Sequence, residues 1–349
     1  MAKVKYVDEL REGEQVDDYF MIKSARLGET KAGKPYLALN LADKSGEING
    51  PVWENAESLQ KICRAGNVVR VRGLVQRYRE NLQLKIDTIN LGEEGEYDFS
   101  SFIATSLRPA HQMEEELQQL IDSVNDVFIR TLLLEVFSDI QSGADFKKSP
   151  AAKGIHHAYL GGLLEHSLSI ARVAAMLADH YRGIDRDLVV AGALLHDIGK
   201  TKELASQSGV IDYTDIGRLK GHLYIGAELV GQAAASIEDF PEQTLTHLQH
   251  LILSHHGKYE FGSPVLPMTA EALLLSFIDD LDAKMNLVEQ LGRKVESETY
   301  QWSDYQRSLE RYLYLRPASP ASTQQKDRDH SQPQDYETRL HDTKQRSLF

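Results

Sequence analysis

Four histidines, His166, His196, His222 and His255, and two aspartates, Asp197 and Asp279, have types and spacings suited to chemistry. Each lies in or beside an apolar helical pattern. His166 follows Leu163 by three residues and precedes Ile170 by four. His196 closes the run from Val189 to Leu195 and is followed by Asp197, then Ile198, Gly199 and Lys200. His222 opens the pattern from Leu223 to Val230. His255 lies four after Leu251 and three after Ile252, and Asp279 lies four after Leu275. Positions three or four apart share a helix face, so these polar groups turn inward with the aliphatic ones. Burying them is costly unless something satisfies them. A lone inward histidine is most simply a hydrogen-bonded core residue. A whole set of metal-ligand type, drawn from separate helices, points instead to a divalent cation. Imidazole and carboxylate suit Mn, Fe, Co, Ni or Zn, with Mg also open, and the lack of thiolates argues against a structural zinc.

The neighbours of this set each have two readings. Lys200 either stabilises phosphate charge beside Asp197 or is a helix-end lysine favoured by the dipole. Asp282 shares a face with Asp279 and competes with it as the last ligand, whereas Asp280 points elsewhere. His256 diverges from His255 by about 100° on a helix, which weakens its claim. His156 and His157, beside Lys153, either touch substrate or pack. Glu165 either orients a ligand from behind or faces solvent. His247 and His250 are expected to be structural, and His111, His180, His330 and His341 have no assigned role.

The elements that must hold these residues follow from periodicity. Residues 1 to about 92 alternate in the manner of half-buried strands. Leu37, Leu39 and Leu41 share one face. So do Val69, Val71 and Val75, and so do Leu82, Leu84 and Ile86. About five strands in this length suit a small barrel of the OB type. The stretch Gly92 to Glu96 is expected to be a linker, with connecting helices over 93–148. Residues from about 110 to 315 read as helical almost throughout. From Arg316 on, Pro, Ser, Gln, Asp and Lys dominate, so 316–349 is expected to be a disordered tail.

Composition bounds the answer. The 349 residues have room for two domains and a tail, and 42% hydrophobic with 26% charged residues fits a soluble globular protein. No apolar run reaches the ~18 residues of a membrane span, so no membrane partner is expected. The single cysteine, Cys63, favours a reducing, cytoplasmic setting. A net charge of −13 argues against broad nonspecific nucleic-acid binding but leaves room for a local basic groove.

His166, the His196-Asp197 pair and Asp279 together resemble the H…HD…D pattern of the HD metal-dependent phosphohydrolase superfamily. His222 and the segment Ser254 to Gly257 resemble the extra ligands of its binuclear members. A longer match resembles the YhaM-type 3′→5′ exoribonuclease family. It runs from Ser149 through His156 and His157 to His166, behind an OB-like domain, and leaves the 316–349 tail outside.

The resemblance implies a multidomain α+β chain. An N-terminal all-β OB-like barrel (1–92) binds single strands, and an all-α HD-type helical domain (149–315) is catalytic. It implies two metals, manganese first, one on His166, His196, Asp197 and Asp279, the other sharing Asp197 and adding His222 and His255. The expected reaction is hydrolysis of single-stranded RNA or DNA from the 3′ end to nucleoside 5′-monophosphates, in a cytoplasmic enzyme that could form a homo-oligomer. Tyr36, Trp53, Arg70, Arg72 and Lys85, with Gln83, Arg77, Tyr78 and Arg79 nearby, offer the aromatic and basic surface that such a barrel would use. Two rival readings remain: an HD-type phosphohydrolase for a small or cyclic nucleotide, and a non-catalytic single-strand-binding regulator.

Overall fold

A computed structural model describes residues 3–316, except 31–32, 80, 94, 99–100, 139–141, 154–156, 206–209, 294 and 296–298. His156, His330, His341 and the expected tail beyond Arg316 therefore lie outside the described residues. The chain divides into two compact units at the boundary between Leu287 and Val288.

In the first unit, strands β1 (Gln15–Glu29), β2 (Pro35–Asp43), β3 (Gly46–Val52), β4 (Val68–Tyr78) and β5 (Asn81–Leu91) close into a barrel. Their order is β1-β2-β3-β5-β4, and the short helix α1 (Ala56–Leu59) lies between β3 and β4. Closure depends on the length of β1. Its first half pairs with β4, for example Asp17 with Arg72, and its second half with β2, for example Gly28 with Tyr36. A register shift between Ile22 and Ser24 falls between the two halves, where a bulge increases the bend. Leu37, Leu39, Leu41, Val69, Val71, Val75 and Leu84 all fill the interior, as period-two alternation requires. The stretch expected to be a linker begins and ends in contacts with the barrel. The Gly92 amide donates to the Val68 carbonyl at 2.9 Å. Tyr97 and Phe102 then join Tyr19, Met21 and Val68 in a small second core. Those aromatic rings supply the apolar area that the glycine- and acid-rich stretch lacks.

The remainder of this unit is mostly helical: α2 (Ala110–Asp122), α3 (Val127–Ser138), α4 (Ser142–Lys148), α5 (Gly162–His180), α6 (Arg186–Leu195), α7 (Lys200–Glu203), α8 (Asp215–Ala235), α9 (Glu242–Ser254) and α10 (Ala270–Gly292), which crosses the unit boundary. A short hairpin, β6 (Leu204–Ala205) with β7 (Asp212–Tyr213), links α7 to α8. One aliphatic core, including Leu163, Val189, Leu195, Leu251 and Leu275, joins α5, α6, α9 and α10. Among the described residues no helix is long and apolar enough to cross a membrane. The second unit corrects the expectation of helix through to residue 315. After α10 the chain forms the hairpin β8 (Gln301–Trp302) and β9 (Tyr314–Leu315). Aromatic residues alternate with others there, a period of two rather than 3.6.

Two close approaches set the site. α8 breaks at Gly221, whose φ of 72° and ψ of 153° end one helical segment and let His222 begin the next. Thr214 caps the first segment, its Oγ1 accepting from the Gly217 amide at 2.9 Å. Gly199 lies against the second segment so closely that an added Cβ would come within 2.1 Å of the His222 carbonyl oxygen. Overpacking at a contact between two backbones cannot be relieved by a rotamer change. Gly199→Ala is expected to destabilise the fold by about 1–3 kcal/mol in urea denaturation. An unchanged midpoint would mean that the α7 and α8 backbones are not in contact.

Candidate metal centre

Each predicted ligand arrives from a different place. α5 supplies His166, the turn after α6 supplies His196 and Asp197, and the second segment of α8 supplies His222. The C-terminal end of α9 supplies His255, and α10 supplies Asp279. His166, His196, Asp197 and His255 are almost wholly excluded from solvent, at 1% exposure or less.

Asp197 is the hinge of the arrangement because its two oxygens face different groups. Its Oδ2 lies 3.3 Å from His196 Nε2, 3.6 Å from His166 Nε2 and 2.6 Å from Lys200 Nζ. Its Oδ1 lies 3.5 Å from His222 Nε2 and 3.6 Å from His255 Nε2, and has no hydrogen-bond partner among the described residues. Asp279 Oδ1 joins the first side, 3.2 Å from His166 Nε2 and 3.9 Å from His196 Nε2. His256, the weaker prospect in the sequence, joins the second, with its Nε2 at 3.2 Å from that of His222. His255 keeps helical backbone angles, φ −62° and ψ −27°, and the two rings still meet with centroids 4.4 Å apart.

The backs of the rings explain their orientation. His196 Nδ1 meets the Ala193 carbonyl, His255 Nδ1 that of Ile252 and His256 Nδ1 that of Phe261, each at 2.8 Å. His166 Nδ1 meets Asp282 Oδ2 at 2.8 Å, and His222 Nδ1 meets Glu203 Oε1 at 3.0 Å. Every Nδ1 thus faces an oxygen acceptor and carries the proton, which leaves the Nε2 lone pairs converging. His166 and His196 bring theirs to 3.3 Å. Two lone pairs at that separation repel unless a cation or an extra proton lies between them. The donor set fits a divalent ion on each side of Asp197, and its atoms form compact ligand groups.

Electrostatics agree. Burial opposes ionisation of both carboxylates, yet Lys200, His196 and His255 hold Asp197, and His166, His196 and His255 hold Asp279, well below the usual carboxylate range. Burial would also lower Lys200, but Asp197 outweighs it and keeps the ammonium charged. Burial drives His255 down to about 3. For His166 burial is overcome by hydrogen bonds to Asp279 and Asp282, which raise it to about 9.

Other expected residues take different places. Asp282 sits behind His166 rather than at the centre, receiving Ser169 Oγ at 2.5 Å and His157 Nε2 at 3.1 Å. His157 reaches Asp282 and the Tyr159 hydroxyl, not the converging Nε2 atoms. Glu165 is one step further out, accepting from Ser106 Oγ at 2.6 Å and Tyr159 OH at 2.9 Å. Asp280 pairs with Lys284 at the surface. His250 Nε2 accepts from the Met268 amide at 2.9 Å. Glu203 was not anticipated: it takes both the His222 backbone amide and its ring at 3.0 Å.

On the barrel, Tyr36 and Trp53 stack with centroids 4.9 Å apart, and Trp53 is 57% exposed. Lys85 is exposed on β5, the strand that pairs with β3, which leads into Trp53. Arg70 and Arg72 both clasp Asp17, with contacts at 2.8 Å, and Lys85 lies opposite Leu74, two residues along β4 from Arg72.

Residues 163–284 match the family model described as HD domain, and residues 21–91 match the OB-fold nucleic acid binding domain. The 3′-5′ exoribonuclease YhaM of Bacillus subtilis is 38% identical over 289 residues, covering 82% of this chain and 91% of that protein. The chain belongs to the YhaM family. The YhaM of Bacillus licheniformis is 37% identical over the same share of each chain. Among solved structures, the second OB-fold domain of replication protein A from Methanococcus maripaludis aligns at 20% identity with a TM-score of 0.22, over 27% of this chain and 98% of that one. Every residue of the converging set, and Asp282, falls inside the HD segment of this YhaM family chain.

Two outcomes follow. Asp282→Ala should weaken metal binding by about 10–100-fold with the fold intact by circular dichroism, because it frees the back of His166; undiminished affinity would show that the ring needs no support. A cation taken up at His166 Nε2 must displace a proton while that ring, raised to about 9, is protonated. Calorimetric affinity should therefore rise with pH up to that value, by about tenfold per unit for one proton, and then level off. Affinity independent of pH in that range would remove His166 from the ligand set.

Proposed function

We infer that this chain is a metal-dependent 3′→5′ exoribonuclease acting on single-stranded RNA, with the His-Asp cluster as a two-metal centre. The observation carrying this reading is the convergence of Nε2 lone pairs on both sides of Asp197, in a chain 38% identical to a 3′-5′ exoribonuclease. We assign His166, His196 and Asp279 to one ion, His222, His255 and His256 to the other, and Asp197 to both.

Divalent ions held there supply positive charge that polarises a phosphate and acidifies the attacking water. The chain's own groups do the remainder. Asp282, Glu203 and three backbone carbonyls hold the five imidazoles at fixed angles. Lys200, kept charged beside Asp197, offers an ammonium to a non-bridging phosphate oxygen. In the reaction water oxygen bonds to the terminal phosphorus, and the bond from phosphorus to the 3′ oxygen of the penultimate nucleotide breaks. A proton passes to that oxygen, releasing a nucleoside 5′-monophosphate and a strand one unit shorter.

The Tyr36–Trp53 stack, with Lys85, suits a base-stacking handle for the strand. Arg70 and Arg72 share Asp17 and keep one net positive charge between them, available to a phosphate. Manganese is our first assignment, on the resemblance to the YhaM-type family; an imidazole-rich donor set also suits Fe, Co, Ni or Zn. We place the enzyme in the cytoplasm, in keeping with a lone Cys63 whose thiol is pushed up to about 11 by burial and so stays protonated.

The test uses 5′-labelled single-stranded RNA with manganese, with chelator, and with Asp197→Ala. A manganese-dependent ladder shortening from the 3′ end, abolished in the variant while strand binding persists, is the expected result. Full activity in Asp197→Ala, or no cleavage with any divalent metal, would contradict the reading.

A further inference from the structure

The hairpin of the second unit presents an aromatic face that the reading above does not use. Trp302 and Tyr314 are direct cross-strand partners, so their side chains leave the same face. Tyr300 is in phase with Trp302, and Tyr312 with Tyr314. The rings touch: Tyr300 and Tyr314 stack at 5.1 Å and 25°, and Trp302 and Tyr314 meet at 4.9 Å. Tyr305 and Tyr312 form a further edge pair at 5.3 Å. The opposite phase holds Leu313 and Leu315, of which Leu315 is buried.

This is the reverse of what solubility alone favours. A strand with one covered face ordinarily turns polar residues to water, and contiguous exposed apolar surface marks a binding site. Here Trp302 is 70% exposed, Tyr312 60% and Tyr314 57%. These are broad π-faces, with Tyr300 and Tyr314 within 25° of parallel, a shape on which unpaired bases stack.

Charge selects the ligand. Between Tyr300 and Arg316 the chain carries Arg307, Arg311 and Arg316 against Asp304 and Glu310, in a protein of net charge −13. All three arginines are exposed, and among the described residues none is in an ion pair. Arg70 and Arg72 on the barrel, by contrast, share Asp17. Exposed guanidiniums on the same hairpin as the rings, one charge in excess over that stretch, are complementary to a phosphodiester strand.

We propose that the Tyr300–Trp302–Tyr314 face is a second binding surface for single-stranded nucleic acid, separate from the OB barrel. Bases stack on the rings, and Arg307, Arg311 and Arg316 hold the phosphates. The choice of ligand rests on the exonuclease reading; the existence of a binding face rests on the hairpin itself. Such a surface would raise strand retention through effective concentration, without any change at the hydrolytic centre.

The chain has two tryptophans, Trp53 on the barrel and Trp302 on the hairpin, so each surface can be watched alone in the full-length protein. Trp53→Phe leaves Trp302 as the reporter, and Trp302→Phe leaves Trp53. Each is titrated with single-stranded oligoadenylate in chelator, so that nothing is cleaved. Saturable quenching of Trp302 is expected. In the Trp53→Phe background, Tyr314→Leu should weaken binding roughly tenfold, whereas Tyr314→Phe, which keeps the ring, should not. A silent Trp302 alongside a responding Trp53 would overturn the proposal and leave the exonuclease reading standing. Silence from both, with no strand retained, would defeat the two together. A shift in Trp302 emission with protein concentration alone would overturn it in favour of a second copy covering the face.

Discussion

A buried carboxylate that no hydrogen bond fully satisfies is the constraint on which the helical part of this protein turns. Asp197 is 1% exposed, its Oδ2 is held by Lys200 and its Oδ1 has no donor among the described residues. An ionised group in such a place is stable only beside compensating charge. The chain supplies one fixed cation and then aims histidine Nε2 atoms at both oxygens. Because each Nδ1 is occupied from behind, it is the Nε2 atoms that turn inward, and at His166 a cation must displace the proton held there. The deficit is the size and chemistry of divalent metal ions, and the hydrolytic function follows from that deficit.

The surrounding fold reads as the means of keeping the lone pairs convergent. His196 and His255 need only the carbonyls three residues back in their own helices, so helix ends orient them at no further cost in sequence. His166 and His222 lie elsewhere in their helices and need carboxylates from other elements, Asp282 on α10 and Glu203 on α7. Glu203 can reach His222 because Gly199 and Gly217 let α7 and α8 approach to backbone contact. The glycines therefore belong to the chemistry as much as the histidines do.

This division accounts for what could be read in the sequence. Inward phase on an amphipathic helix revealed His166, His196, His222, His255 and Asp279, since a polar residue in an apolar stripe stands out at single-sequence level. The barrel strands were legible for the same reason at period two. Asp282 shared the face of Asp279, so phase alone could not separate a residue facing Nε2 from one facing Nδ1. Glu203 carried no periodic signal, because its helix is a single turn. His256 lies beside His222, a contact that helix phase along α9 did not indicate. The Arg70–Asp17–Arg72 clasp depends on strand pairing across the barrel, which no local window contains. The aromatic hairpin was lost within a region read as helical, although its alternation was there to be seen.

The central claim is that Asp197 bridges two ions, one on each carboxylate oxygen. Anomalous diffraction from manganese-soaked crystals tests it most directly. The account predicts two peaks roughly 3.5–4 Å apart, flanking Asp197, one beside His166, His196 and Asp279 and the other beside His222, His255 and His256. A single peak, or one bound through Asp282 in place of Asp279, would contradict it.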